Sequence, residues 1–285
     1  MRPLSLFPNV LLLLFIPLST VQTQSTQQEV VLSNTRLHLL PAEAVSETYR
    51  IEVSLPRAYS DSSKSFAVLY LLDADKSFGM ARDIVDWLSW AREIPQIIIV
   101  GVSYGGTTRE WWDKRSRDYT PTRDTSCIWG SKWPLAGGAD RFRTFLKTEL
   151  FPFIEHTYRT LQNDRTIVGL SFGGLFADYV LIVEPALFSR YVILAPALAW
   201  GGKCIFRFEQ AYYSSQRTLP AKVFTAVGSL DEKDIIEPWQ QFNAVIASRK
   251  YRDLLWHDHT FPDETHISVF PGAFARGLKT VFAVE

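Results

Sequence analysis

Cysteine is almost missing from this chain: 285 residues hold only Cys127 and Cys204. So few exclude a core stapled by disulfides, and the two lack the spacing of a zinc site. In an oxidising compartment they can pair with each other. Surplus charge is missing as well. The 30 Lys and Arg are matched by 30 Asp and Glu, so nucleic-acid binding has no electrostatic support. The apolar run at residues 10–18 falls short of the roughly 20 residues that span a bilayer. It follows Arg2 and precedes a small, polar stretch at 19–24, which is the pattern of an export signal. No cysteine stands there to carry a lipid. The expected organisation is a signal peptide over 1–24 and one domain over 25–285. The mature protein is expected to be secreted or periplasmic, with no stable membrane insertion. Repeats, linkers and low-complexity tracts are missing after the signal.

What is present is an alternation of strands and helices. Residues 35–40 and 47–55 alternate as strands at a sheet edge, and Pro56 closes the second. The continuous apolar runs at 66–72 and 96–102 predict strands buried on both faces. Further strands are expected at 165–168, 190–194, 222–227 and 253–261. Helical spacing marks 80–90, 138–157, 175–184, 235–250 and 268–283, with Pro152 expected to kink the second. Two stretches show no clear period, 103–136 and 197–220, and both are expected to be irregular. Long loops in a compact domain are usually functional. Strands alternating with helices predict a mostly parallel sheet with helices on both faces.

The chemistry centres on Gly169-Leu170-Ser171-Phe172-Gly173-Gly174, between a predicted strand and a predicted helix. Strand, G-x-S-x-G, helix is the nucleophile elbow of the α/β-hydrolase fold. Its serine sits on a strained turn, so the flanking glycines let strand and helix approach closely. The Phe172 N–H, at the helix start, then points at a developing oxyanion. A second donor is expected from the loop after the third strand, near Asp75. A serine nucleophile needs a base, and the base needs an acid to orient it. The fold places them in the order Ser, acid, His. Of the five histidines, only His266 stands on a loop at the right end of a late strand. Asp231 lies just past the strand ending at Val227 and is the acid candidate; Glu232 and, less favourably placed, Asp234 are alternatives. Asp73 and Asp75 read as a polar turn, and His257 with His259 lacks a third ligand nearby. No metal or cofactor is expected.

The chain resembles the putative esterase (esterase D-like) group of α/β-hydrolases. That group includes enterochelin-type siderophore trilactone esterases, feruloyl esterases and mycolyltransferases. The resemblance rests on Val68-Leu69-Tyr70-Leu71-Leu72-Asp73, Val100-Gly101-Val102, Arg117-Asp118-Tyr119-Thr120-Pro121-Thr122, Gly137-Gly138-Ala139, the elbow and His266. It implies Ser171 as nucleophile, Asp231 as acid and His266 as base, with oxyanion N–H groups on Phe172 and Asp75. Ala74 stands where many relatives have glycine. The implied activity is hydrolysis of carboxylic esters through an acyl-enzyme. The alternatives are acyl transfer on the same triad and a non-catalytic ligand-binding module.

Aromatic residues bear on the substrate. Trp111, Trp112, Trp129 and Trp133 fall in the long stretch before the Gly-Gly-Ala helix, and Arg109, Lys114, Arg115, Arg117 and Arg123 interleave with them. One reading is a wall of ring faces and cations for an aromatic, anionic ligand, with Trp111, Trp112, Arg115 and Trp129 binding a small-molecule ester. An iron-loaded catecholate siderophore fits that wall. The other reading is a small core beneath a long loop.

Overall fold

A sequence that alternates buried strands with amphipathic helices folds as the periodicity predicts. The computed structural model describes residues 29, 31–123 and 133–283; residues 1–24, and with them the expected signal, lie outside these, as do Cys127 and Trp129. The described residues form an eight-stranded sheet in the order β1-β2-β4-β3-β5-β6-β7-β8. β1 (Thr35–Ala42), β2 (Glu47–Ser54) and β4 (Ile97–Ser103) pair antiparallel. β3 (Phe66–Leu71), β5 (Thr160–Leu170), β6 (Arg190–Leu194), β7 (Thr218–Gly228) and β8 (Arg252–Phe261) continue the sheet in parallel. Every residue of β3 and β4 is buried, because helices cover both faces. α1 (Ala74–Trp90) and α8 (Val269–Val281) pack together on one face. On the other, α5 (Phe172–Val183) meets α2 (Thr108–Tyr119) and α6 (Trp200–Ser215), and α7 (Lys233–Arg249) packs against α6. This is the α/β-hydrolase fold.

The predicted helix at 138–157 forms in three pieces. α3 (Ala139–Phe145) passes through a π-helical turn at Leu146–Leu150 into α4 (Phe151–Thr157), where Pro152 occupies the first turn. The wider turn falls just ahead of the residue that has no N–H to give, so the irregularity has a local cause.

Both stretches expected to be irregular contain helices. α2 escapes the apolar period because its inward residues are polar: Arg115, Ser116 and Asp118 are buried beside Tyr119. Its start is nonetheless written in the chain. Thr107 and Glu110 form a capping box, each side chain bonding the other's backbone. α6 is masked for a different reason. Gly201, Gly202 and Lys203 all have φ near +60°, which breaks the helix within its first turn.

Candidate active site

Ser171 sits between β5 and α5 with φ 63° and ψ −117°, a conformation that strains any residue with a Cβ. The turn is held from both sides. Ser171 N–H donates to Leu194 O (2.9 Å), and Ala197 N–H donates to Ser171 O (3.1 Å). A side chain at Gly169 would put its Cβ 2.2 Å from Gly173 O, so the elbow closes only with glycine there. Phe172 then opens α5, with its N–H in the first turn, where helical N–H groups lack intrahelical acceptors.

Asp231 and His266 come together through the ends of β7 and β8. Ser229 N–H donates to Phe261 O (2.8 Å), and Leu230 N–H donates to Glu264 O (2.9 Å). A Cβ on Gly228 would lie 2.1 Å from Glu264 O, so glycine lets the two loops touch. The result is a contact between His266 Nδ1 and both Asp231 oxygens, at 3.0 and 3.2 Å. The Asp231 side chain is fully buried, and the Glu232 N–H donates to its Oδ1 (2.9 Å). Glu232, the alternative acid, instead faces the adjoining cavity together with Asp234.

That cavity is about 280 Å³ and brings Ser171, Phe172 and His266 to one space. Trp112, Trp133 and Trp200 supply its ring faces, with Ala197, Ala199 and Ile235 between them. Trp112 and Trp133 stack at 5.1 Å and 23°. Trp200 meets Phe172 edge-on at 5.0 Å, and its Nε1–H donates to Thr122 O (2.9 Å).

The turn after β3 lies beside the elbow. Asp73 adopts φ 53° and precedes α1, and its Oδ2 would be 3.5 Å from a Cβ placed on Gly173. Asp75 stands in the first turn of α1, and its carboxylate accepts the N–H groups of Tyr104 and Gly105, both at 2.8 Å. The Arg-Asp-Tyr run explains itself here. Asp73 N–H donates to Tyr119 Oη (3.2 Å). Arg117 Nε donates to Asp118 (2.7 Å), which also accepts the Tyr49 hydroxyl (2.6 Å). Gly138 N–H donates to Arg117 O (2.8 Å), so the Gly-Gly-Ala turn docks on the same helix. The whole group braces the turn next to the elbow.

The expected ligand wall is redrawn. Trp112 faces the cavity. Trp111 stands behind it, edge-on at 4.8 Å, and packs against the core. Arg115 does not present a cation to a ligand: it is 3 % exposed, and its guanidinium grips Asp73 through two bonds of 2.8 and 2.7 Å. A buried guanidinium needs a carboxylate, and the sequence does not show that Asp73 is the partner. Trp129 lies outside the described residues. Trp133, Trp200, Glu232 and Asp234 line the space instead.

Residues 42–241 match the family described as putative esterase. Over 269 residues the chain is 28 % identical to the ferri-bacillibactin esterase BesA of Bacillus subtilis, covering 89 % of this chain and 91 % of that protein. It is 30 % identical to a siderophore enterobactin esterase of Emericella nidulans over 178 residues, 58 % of this chain and 59 % of that one. Among solved structures, the BES protein of Bacillus cereus superposes with a TM-score of 0.81 at 26 % identity, covering 92 % of this chain and all of that one. With the elbow, the fold and the matched span in agreement, the chain belongs to the putative esterase family of carboxylic ester hydrolases.

Proposed function

We propose that Ser171, His266 and Asp231 form the catalytic triad of an exported serine esterase that cleaves an aromatic, siderophore-type ester. The carrying observation is the His266 Nδ1–Asp231 contact of 3.0 Å opening on the cavity that Ser171 also lines. With Nδ1 occupied, Nε2 is the ring nitrogen left to take the serine proton. Ser171 Oγ attacks the ester carbonyl and His266 accepts its proton. The N–H groups of Phe172 and Asp75 hold the oxyanion. His266 returns the proton to the departing alcohol. Water then cleaves the acyl-enzyme by the same route.

The substrate class rests on the lining. Three indole rings around about 280 Å³ suit one flat aromatic arm with its ester, and the relatives that match over most or over half of the chain are named for siderophore esters. Export rests on residues 1–24, so the working enzyme corresponds to 25–285. Among the described residues, no helix is long and apolar enough to cross a membrane.

The test is Ser171→Ala, assayed on p-nitrophenyl butyrate and by fluorophosphonate labelling. The expected outcome is no labelling and a rate lowered by roughly 10⁶, with an unchanged melting temperature. A variant that still turns over at the parent rate removes the mechanism.

A further inference from the structure

We propose that the open sheet edge at β1 pairs with the same edge of a second copy of this chain, giving a twofold dimer that leaves both cavities free. The inference goes beyond the esterase reading and does not depend on it. An exposed strand edge offers a row of unpaired N–H and C=O groups, and proteins blunt such edges with charges, proline or a kink. The two edges of this sheet differ in that respect. β8 is kinked at Asp253 (φ 64°), and Arg252, Asp253, His257 and Asp258 stand exposed along it. Over residues 36–40, β1 has neither a positive φ nor an acid, and its one full charge is Arg36.

The register of β1 decides which of its groups are free. Leu55 N–H donates to Asn34 O (3.0 Å), and Thr35 stands opposite Ser54. Bonded and non-bonded pairs alternate along an antiparallel ladder. Arg36, His38 and Leu40 therefore turn their backbone groups toward β2, and Leu37 and Leu39 turn theirs outward. Among the described residues no strand lies beyond β1 to take them. Side chains alternate too. His38 Nε2 contacts Tyr158 Oη (2.6 Å), which holds the ring within its own chain. Leu37 and Leu39 lie on the other face, that of α1. Leu37 stands opposite Glu52, and Glu52 opposite Gly101, where a Cβ would meet Ala74 and Phe78 of α1. The two leucines are 50 % and 66 % exposed.

A twofold axis through His38 answers both patterns at once. It sets Leu37 opposite Leu39 of the second copy, closes both N–H···O=C bonds of each such pair and covers the leucine side chains of both copies. An axis through Leu37 would face Leu39 with Thr35, and one through Leu39 would face Leu37 with Pro41, which has no N–H to give. With the axis at His38, the α1 helices of the two copies flank it on one face of the joined sheet. Exposed Trp90 lines the groove between α1 and Asn34 at the start of β1, so that face carries further apolar surface. A pairing confined to residues 36–40 falls below the roughly 1,200 Å² of a standard interface, so the dimer is expected to exchange at micromolar concentrations. Ser171, Asp231 and His266 follow β5, β7 and β8, in the other half of the sheet, and stay accessible in both copies.

Sedimentation velocity on the mature chain over about 1–100 μM tests this. The parent is expected to pass from monomer to dimer within that range. Leu37→Lys/Leu39→Lys sets like charges opposite each other and should raise the dissociation constant by about 100-fold or more. Leu37→Lys/Leu39→Glu should bind at least about 10-fold more tightly than that variant, because an axis through His38 brings opposite charges face to face. Leu255→Lys, on the β8 edge, should leave the dimer as it is. Melting temperatures and hydrolysis rates per chain should stay those of the parent throughout. The inference falls if the parent is still monomeric at about 100 μM, if the dimer survives the paired lysines, or if Leu255→Lys weakens it equally. A Lys/Glu variant no tighter than the Lys/Lys one overturns the pairing through His38.

Discussion

The carboxyl edge of the sheet and the helix α2 both contribute to one cavity, yet they are built by different rules. At the edge, each candidate catalytic side chain is positioned by backbone. The Ser171 turn bonds to Leu194 and Ala197, and the Asp231 and His266 loops bond to each other. In α2, position comes from side-chain pairs far apart in sequence, such as Arg115 with Asp73 and Tyr49 with Asp118. Backbone-built geometry tolerates change in the surrounding residues. Pair-built geometry does not, because removing either partner strands a buried charge.

The largest effect that separates the two regions is expected within the edge itself. Asp231→Asn should lower kcat by up to roughly 10⁴, because an amide leaves His266 in the wrong tautomer. Glu232→Gln should cost far less, since Glu232 contacts the cavity and not Nδ1. Steady-state rates on p-nitrophenyl butyrate decide it. A Glu232→Gln loss equal to that of Asp231→Asn would mean that the orienting carboxylate is not Asp231.

The next effect reverses the order of the regions, because it concerns folding. Arg115→Ala is expected to destabilise the protein by about 3–5 kcal/mol, as the buried Asp73 carboxylate loses its partner. Trp112→Ala should leave the melting temperature within a few degrees and instead raise KM for an aromatic ester by about 10-fold. Thermal unfolding and steady-state kinetics on the same preparations test both. If Arg115→Ala folds normally and loses only substrate affinity, its guanidinium reaches the ligand and the wall must be redrawn.

The same division decides what can be read from sequence. The strands and the Gly169 approach at the elbow are local, so periodicity and motif expose them, and the chain order of the fold picks out Ser171, Asp231 and His266 as candidates. The cations of α2 look like a ligand surface until the fold supplies Asp73 for Arg115 and Glu47 for Lys114, and those lie 42 and 67 positions away in the chain. The helix itself was hidden because pairing lets polar residues face inward, which erases the apolar stripe. The Thr107–Glu110 capping box is the one local signal that reveals it. Trp200 and the α7 carboxylates enter the cavity through folding of distant segments, and no motif announces them.

The smallest expected effect tests whether the elbow region is as well matched as α2. In α2 every buried acid has a base or hydroxyl beside it. In α5 Asp178 is 2 % exposed, and among the described residues its Oδ1 has no hydrogen-bond partner. Burial pushes its carboxyl well above the ordinary range, so folding favours its protonated form. In the unfolded chain it ionises near about pH 3.9. Above that value the native state holds one proton more than the unfolded state, and stability falls as pH rises, by up to about 1.4 kcal/mol per unit, until the folded group itself ionises. Asp178→Asn keeps the shape and removes the titration. Its amide still needs partners, so the net gain is expected to be about 1 kcal/mol near neutrality. Near about pH 4, where the linkage contribution is gone and the amide cost remains, the variant should be the less stable protein, and its standing against the parent should improve toward alkaline pH. Denaturant midpoints measured across that range check the sign. An Asn variant whose advantage is constant with pH, or which is the less stable protein at pH 8, would show that Asp178 is ionised and paired in the fold, and the elbow helix would then obey the same rule as α2.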